Sequence, residues 1–271
     1  MSEFESGTSQ LLCELTDKVL VITLNRPDAR NALSDELTGA MRRALSWAET
    51  APEVGAVLIT GAGKAFCAGG DVKRMGDRNS SPPPAAEVQF QEMRSRHHEL
   101  AGALTRMRKP SVAALPGAAA GAGLALALAC DMRVCAERAF VTTGYAQIGL
   151  SGDYGIAWLL TRVVGPGRAR ELMLTSSRVS SLRAEQLGLV NVVVADDELM
   201  TSALDLARNL ANGPQAAYAY MKDNLDEALT IDHATAIDRE ADRLMKTRST
   251  ADHREAVTAF AEKRPPVFKG E

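Results

Sequence analysis

The sequence predicts an α/β fold whose final third is helical, and three observations carry that expectation. An apolar run at 19–25, a helical repeat at 34–48 and a second apolar run at 54–60 follow one another, which is the order of an α/β unit with a right-handed crossover. The stretch 109–131, KPSVAALPGAAAGAGLALALACD, is the most apolar part of the chain and has little side chain, so whatever packs there does so backbone against backbone. Every strand-like run lies before Ala195, and only helical spacing follows it.

In chain order, 11–14 and 19–25 flank the polar pair Asp17-Lys18 and read as an opening hairpin. Residues 26–31 leave it as a loop. Ser34 is placed to cap a helix that carries Leu37, Met41, Leu45 and Ala48 on one face. The run VGAVLIT reads as a buried strand, and the glycine-rich turn 61–71 follows it. Residues 77–86 contain three prolines and cannot join a sheet. The next segment, 87–108, reads as one helix with Val88, Met93, His97, Leu100, Leu104 and Met107 on its apolar side. A loop feeding a helix suits an active-site cover as well as a plain surface. A strand at 111–115, a turn at Pro116-Gly117 and a buried helix at 121–130 come next, then short strands at 132–135 and 140–142. The glycine-punctuated segment 144–155 leads into helices at 156–163, 167–174 and 183–187 and a strand at 190–194. Helices at 197–209, 214–228, 231–246 and 252–262 complete the chain, with Pro214 at the first position of its helix.

The composition narrows the class. The chain has 271 residues, 46% of them apolar, with 31 basic against 34 acidic side chains, so it can bury a large core and lacks the cationic face that nucleic acid needs. Cys13, Cys67, Cys130 and Cys135 have neither a CxxC spacing nor the density of a secreted scaffold. No charged segment followed by an apolar one opens the chain, so a cytoplasmic address is expected. Small residues and the breaks at Pro116, Gly117, Gly121 and Gly123 argue against a membrane span at 109–131. His97 and His98 have no HExxH pattern or carboxylate at ligand spacing, so no metal is expected, and both read as surface or helix histidines.

Two glycine-rich stretches call for anion chemistry without matching a nucleotide motif. In GAGKAFCAGGD, Gly63-Lys64 is followed by alanine where a phosphate loop needs serine or threonine. GAGLAL lacks the acidic residue that a dinucleotide site places after a following strand. What remains is exposed backbone N–H, which serves as ordinary turn chemistry or as a site for an oxyanion, a thioester oxygen or a phosphate.

Four segments together resemble the enoyl-CoA hydratase/isomerase, or crotonase, superfamily over essentially the whole chain: LNRPDARNAL at 24–33, GAGKAFCAGGD at 61–71, PGAAAGAGLALALACD at 116–131 and AVTAFAEKRPPVF at 256–268. The resemblance implies a crotonase-like ββα spiral at 1–195 that holds an acyl-CoA site, and a helical oligomerisation region at 196–271 that builds a trimer or a dimer of trimers. It implies a thioester carbonyl in an oxyanion hole, with the N–H groups of Ala68 and Ala122 matched by position. It also implies a wall for the nucleotide end of coenzyme A from Arg26, Ala29, Arg30, Lys64 and Phe66, with Phe260 and Lys263 as further contacts that a neighbouring subunit often supplies. Coenzyme A is part of the substrate, and no separate cofactor is implied.

The departures from the pattern bear on the reaction. Hydratases of this superfamily hold a water between two glutamates, and the matching positions here are Ala125 and Tyr145. A phenol with an ordinary pKa of about 10 is a poor base near neutrality. IGLSGDYGIAWLL at 148–160 resembles the segment in which the 1,2-epoxyphenylacetyl-CoA isomerase branch and some Δ3,Δ2-enoyl-CoA isomerases keep an acid/base aspartate, here Asp153, although Gly152 and Ile156 depart from it. Read without the resemblance, an aspartate between glycines is a turn or helix-cap residue. The expectation is a double-bond shift through an enolate with Asp153 as the base. Hydration aided by Tyr145 or Asp153, another CoA-ester reaction and acyl-CoA binding without turnover stay open.

Overall fold

The computed structural model describes residues 4–71 and 85–270. The proline-rich segment singled out at 77–86 therefore lies almost wholly outside the described residues.

Strands β1 (Leu11–Thr16) and β2 (Val19–Leu24) form the expected antiparallel hairpin. Both turn residues are left-handed, Asp17 at φ 49 and Lys18 at φ 64, which is the twist a two-residue hairpin requires. Helix α1 (Asp35–Thr50) then crosses to β3 (Ala56–Gly61), which lies parallel to β2. Ser34 caps α1 by accepting a hydrogen bond from Leu37 N at 3.1 Å. Strands β5 (Ser111–Leu115), β7 (Met132–Ala136) and β10 (Val192–Val194) extend the sheet in parallel, in the order β1-β2-β3-β5-β7-β10.

A second sheet, β4-β6-β8-β9, is made from short pieces: β4 (Ala65–Cys67), β6 (Ala118–Ala120), β8 (Phe140–Thr142) and β9 (Val179–Ser180). Each of β3, β5 and β7 is followed within a few residues by one of these short strands and then by helix, which is the crotonase-like ββα repeat. Strands β4 (AFC) and β6 (AAA) escape the sequence reading because three residues are too few to show an alternation.

The predicted helix at 87–108 is two helices, α2 (Ala86–Glu99) and α3 (Ala101–Arg106), broken at Leu100 with φ −111 and ψ −91. The apolar residues of 87–108 do not form one stripe. Val88 and Met93 are exposed, whereas Leu100, Leu104 and Met107 are buried, so the segment turns where burial begins. Helix α4 (Ala122–Ala129) is buried on every side, as its alanines and leucines require. The two helices expected at 156–174 are joined as α5 (Ile156–Thr175), kinked where Gly165 (φ 73, ψ 165) precedes Pro166.

After α6 (Ser181–Gln186), helix α7 (Leu199–Ala211) lies against the large sheet through Ala203, Ala207 and Ala211. The fit is close enough that a Cβ on Gly55 would stand 2.4 Å from Ala211 O. Helices α8 (Gln215–Glu227) and α9 (His233–Arg248) bury no residue in the single chain and leave Met221, Leu225, Ile237, Leu244 and Met245 exposed. Helix α10 (Ala251–Glu262) is tied to the final residues by buried Asp252, which accepts from Lys269 N at 2.7 Å and Gly270 N at 2.9 Å. Among the described residues no helix is long and apolar enough to cross a membrane, and all four cysteines are free.

Candidate active site

The buried helix α4 supplies the first part of the site. Gly121, at φ 52 and ψ −124, turns the chain from β6 into the helix, a conformation that side chains disfavour. Its N–H donates to Thr142 O, and the first intrahelical bond into the new helix is Ala125 N to Gly121 O. The N–H groups of Ala122, Gly123 and Leu124 are thus left without intrahelical acceptors. A Cβ on Gly123 would sit 2.3 Å from Cys67 O, so β4 is pressed against the start of α4.

The turn that brings β4 there is held by the LNRPDARNAL segment. Asn31 is fully buried and clamps two chain segments, donating from Nδ2 to Ala62 O at 3.0 Å and Ala65 O at 2.8 Å while Oδ1 accepts from Arg26 N. Arg26 donates from Nη1 to Ala32 O at 2.6 Å and pairs through Nη2 with Asp71 at 3.1 Å. Its guanidinium is thereby engaged in holding the turn.

The same clamp corrects one expectation. Ala68 N–H is not a free donor, because it bonds to Arg30 O at 2.9 Å. Gly69 O accepts from Leu33 N at 2.8 Å, and among the described residues no acceptor engages Gly70 N–H. A Cβ on Gly69 would lie 3.4 Å from Ala122 N, so the 69–70 peptide runs beside the N-terminus of α4. The amides of Gly70 and Ala122 thus stand at this junction without an acceptor among the described residues.

Asp153 enters from the turn before α5. That turn is held by left-handed or glycine-only geometry at Gly152 (φ 129), Tyr154 (φ 48) and Gly155 (φ 74). The cap position of α5 is Gly155, with no side-chain capping bond, so the Asp153 carboxyl is not a helix cap. It accepts a short hydrogen bond from the hydroxyl of Tyr145, a buried residue on the loop after β8. That hydroxyl lies 3.8 Å from where a Cβ on Gly121 would be, which links Asp153 to the start of α4.

Burial pushes the Asp153 carboxyl above the usual carboxylate range, while the Tyr145 hydrogen bond and nearby His97 pull it down. The Tyr145 phenol is pushed up, first by burial and then by the Asp153 charge, so it stays protonated and donates. Cys67 is pushed up to about 12, mainly by burial, and also feels Asp153.

The other predicted positions are spread more widely. Arg30 and Lys64 are exposed, and Ala29 is half-buried in the 3-10 turn Pro27–Ala29. Phe66 is fully buried, so its ring is a core residue and cannot wall a ligand, which corrects that expectation. Phe260 is 87% exposed, and Lys263 is the left-handed residue that ends α10. Ala125 is wholly buried in α4 and offers no polar atom beyond its backbone. Among the described residues no group of three or more His, Cys, Asp or Glu side chains is arranged to hold a metal ion. Two residues near the site escaped the sequence reading. Gly70 could have been suspected from the doubled glycine before Asp71, and His97, read as a satisfied helix residue, packs its ring at a tilt against that of Tyr154, with centroids 4.2 Å apart.

A ββα spiral with two backbone amides beside a half-buried carboxyl fits a class of enzymes acting on acyl-CoA thioesters. The chain belongs to the enoyl-CoA hydratase/isomerase family, whose profile matches residues 14–271. It is 35% identical over 260 residues to 1,2-epoxyphenylacetyl-CoA isomerase of Escherichia coli, covering 96% of this chain and 98% of that protein. It is 32% identical to the short-chain-enoyl-CoA hydratase of Clostridium acetobutylicum, over 94% of this chain and 96% of that one. Among solved structures, an enoyl-CoA hydratase from a Polaromonas species superposes with a TM-score of 0.89 at 35% identity, covering 95% of this chain and 99% of the other.

Proposed function

We propose that this enzyme shifts the double bond of an enoyl-CoA by proton transfer through an enolate. The observation that carries this reading is the carboxyl inventory of the site. Ala125 and Tyr145 occupy the two positions where the hydratases hold glutamates, and Asp153, bonded to Tyr145, is the carboxyl beside the start of α4.

The Gly70 and Ala122 amides bind the thioester oxygen and stabilise the charge that moves onto it. Asp153 takes a proton from the carbon between the thioester and the double bond, a dienolate forms, and a proton is delivered two bonds further on the same face. Tyr145 is a positioning group that holds the carboxylate by donating to it. Arg30 and Lys64 on the rim serve the phosphates of coenzyme A, with Phe260 and Lys263 of a neighbouring subunit as further contacts. A product assay tests this: a 3-enoyl-CoA should be converted to an isomer of equal mass, and a 2-enoyl-CoA should not gain a molecule of water. Rapid formation of 3-hydroxyacyl-CoA would establish the hydratase reading instead.

The Tyr145 hydroxyl favours the ionised form of Asp153. In Tyr145→Phe that support is lost, the carboxyl titrates higher, and the acid limb of kcat/KM moves up by about one pH unit. An unmoved limb would separate the tyrosine from the base.

The C-terminal helices serve assembly in this reading. Residues 196–271 form the oligomerisation region and 1–195 the acyl-CoA core. The exposed Leu225, Leu244, Met245, Val257 and Phe260 are more apolar surface than a lone subunit keeps, which supports a closed trimer or a dimer of trimers. Sedimentation equilibrium should give three or six subunits, and a stable monomer at micromolar concentration would contradict the assignment.

A further inference from the structure

We propose that Ser176 is a positioning residue for the reaction: its buried hydroxyl fixes the loop that carries Tyr145 and so holds the Tyr145 hydroxyl on the Asp153 carboxyl. This role rests on the assignment of Asp153 as the base in the proposed function.

Ser176 ends α5 and is wholly buried. Its backbone is left-handed, at φ 48 and ψ 32, a conformation that suits glycine and strains a serine. The side chain kept there is fully used. Ser176 Oγ accepts from Ala146 N at 3.1 Å and lies 3.2 Å from Thr143 Oγ1. Thr143 has a single hydroxyl proton, and it goes to Leu172 O at 2.8 Å. In the pair with Thr143 the serine is therefore the donor, and the bonds run in one direction, from Ala146 N–H through Ser176 and Thr143 to Leu172 O. The Ser176 carbonyl accepts in addition from Thr142 Oγ1 at 2.9 Å and Gln147 Nε2 at 3.2 Å. One residue thus grips the segment 142–147 on both sides of Tyr145.

Ser176 and Asp153 flank opposite ends of a helix of 20 residues. A straight helix of that length would set its ends about 30 Å apart. The kink at Gly165 brings them together instead, and Met173 Cε lies 3.4 Å from where a Cβ on Gly152 would stand. Tyr145 bridges the two ends, with the next amide bound to Ser176 and its own hydroxyl bonded to Asp153. Its ring is rigid, so the hydroxyl follows the backbone, and a shift of about 1 Å at residue 145 is enough to lose the bond. The segment also reaches α4, because Thr142 O accepts from Gly121 N at 3.1 Å. Thr142 is held by the Ser176 carbonyl, so removing the hydroxyl frees residues 143 and 146 and leaves that tie in place.

Ser176→Gly tests the role with little disturbance of the backbone, since glycine prefers the left-handed conformation. Thr143→Val removes the next hydroxyl in the chain, and Thr143→Ser keeps it. The first measurement needs no substrate: a 13C NMR titration of the Asp153 carboxyl. Ser176→Gly should move it upward, the direction also expected for Tyr145→Phe, because the hydroxyl that favours the carboxylate is no longer held in place. In a Tyr145→Phe background Ser176→Gly should move it no further. The other titratable groups near the carboxyl, His97 on α2, Cys67 on β4 and Tyr154, are the same in every variant.

The second measurement is turnover of a 3-enoyl-CoA. Ser176→Gly and Thr143→Val should each lower kcat by up to about 10-fold while KM changes by less than about two-fold, and Thr143→Ser should stay near wild type. The double variant of Ser176→Gly with Tyr145→Phe should be no slower than Tyr145→Phe alone. Circular dichroism checks that each variant folds; should Ser176→Gly fail to fold, equal turnover in the two Thr143 variants would overturn the role. A titration that Tyr145→Phe moves and Ser176→Gly does not, or an equal loss of turnover with and without the Tyr145 hydroxyl, overturns the positioning alone. A wild-type enzyme that leaves the 3-enoyl-CoA unchanged overturns the proposed function and the positioning with it.

Discussion

Asp153→Asn should lower turnover of a 3-enoyl-CoA by about 100-fold to 10,000-fold while leaving the fold intact. The amide keeps the size of the side chain and can still accept from Tyr145, so packing around the turn before α5 is preserved. What it loses is proton transfer, together with exchange of the C2 hydrogen of bound thioester. Stability separates a catalytic role from a structural one. Asp153 is pushed above its ordinary pKa on folding, so its ionised form disfavours the folded state once the pH exceeds the unfolded value. The neutral asparagine removes that penalty, and its melting temperature at pH 7 should equal or exceed that of wild type. A variant that melts several degrees lower and keeps near-native turnover would make Asp153 a turn residue.

Gly70→Pro should lower turnover by about 100-fold, the effect of removing one oxyanion donor worth about 3 kcal/mol, with a smaller change in affinity for the CoA ester. Proline deletes an N–H that has no acceptor among the described residues. Ala68→Pro is the informative control. Its N–H holds Arg30 O, so this change should loosen the 26–33 clamp and show itself as lost stability. Circular dichroism and oligomer size must accompany both variants. A folded Gly70→Pro enzyme with full activity would remove this amide from the site.

Much of the fold is legible in the sequence because its signals are local. The hairpin turn at Asp17-Lys18, the Ser34 cap and the apolar strands β3 and β5 each announce themselves within a few residues. The short strands β4, β6 and β9 do not, since their pairing is decided by partners distant in the chain.

The candidate site divides in the same way. Asp153 and Ala122 can be found from motif position, but which amide of the FCAGGD run is free cannot, because that depends on Arg30 O reaching across from another loop. Phe66 shares a motif with the site and yet points into the core, for β4 alternates sides over its three residues while all three are buried. His97 gives no signal in sequence spacing, since its contact with Tyr154 spans more than fifty residues and requires the break at Leu100 to set the direction of α2.

Whether one carboxyl group works on a thioester whose oxygen rests on two backbone amides is decided by a crystal structure with a 3-enoyl-CoA analogue bound. The thioester oxygen should lie about 3 Å from both Gly70 N and Ala122 N, with the Asp153 carboxylate facing C2 and C4 of the acyl chain from one side. A thioester oxygen bound elsewhere, or a carboxylate turned away from both carbons with a water held over the double bond, would rule out this mechanism.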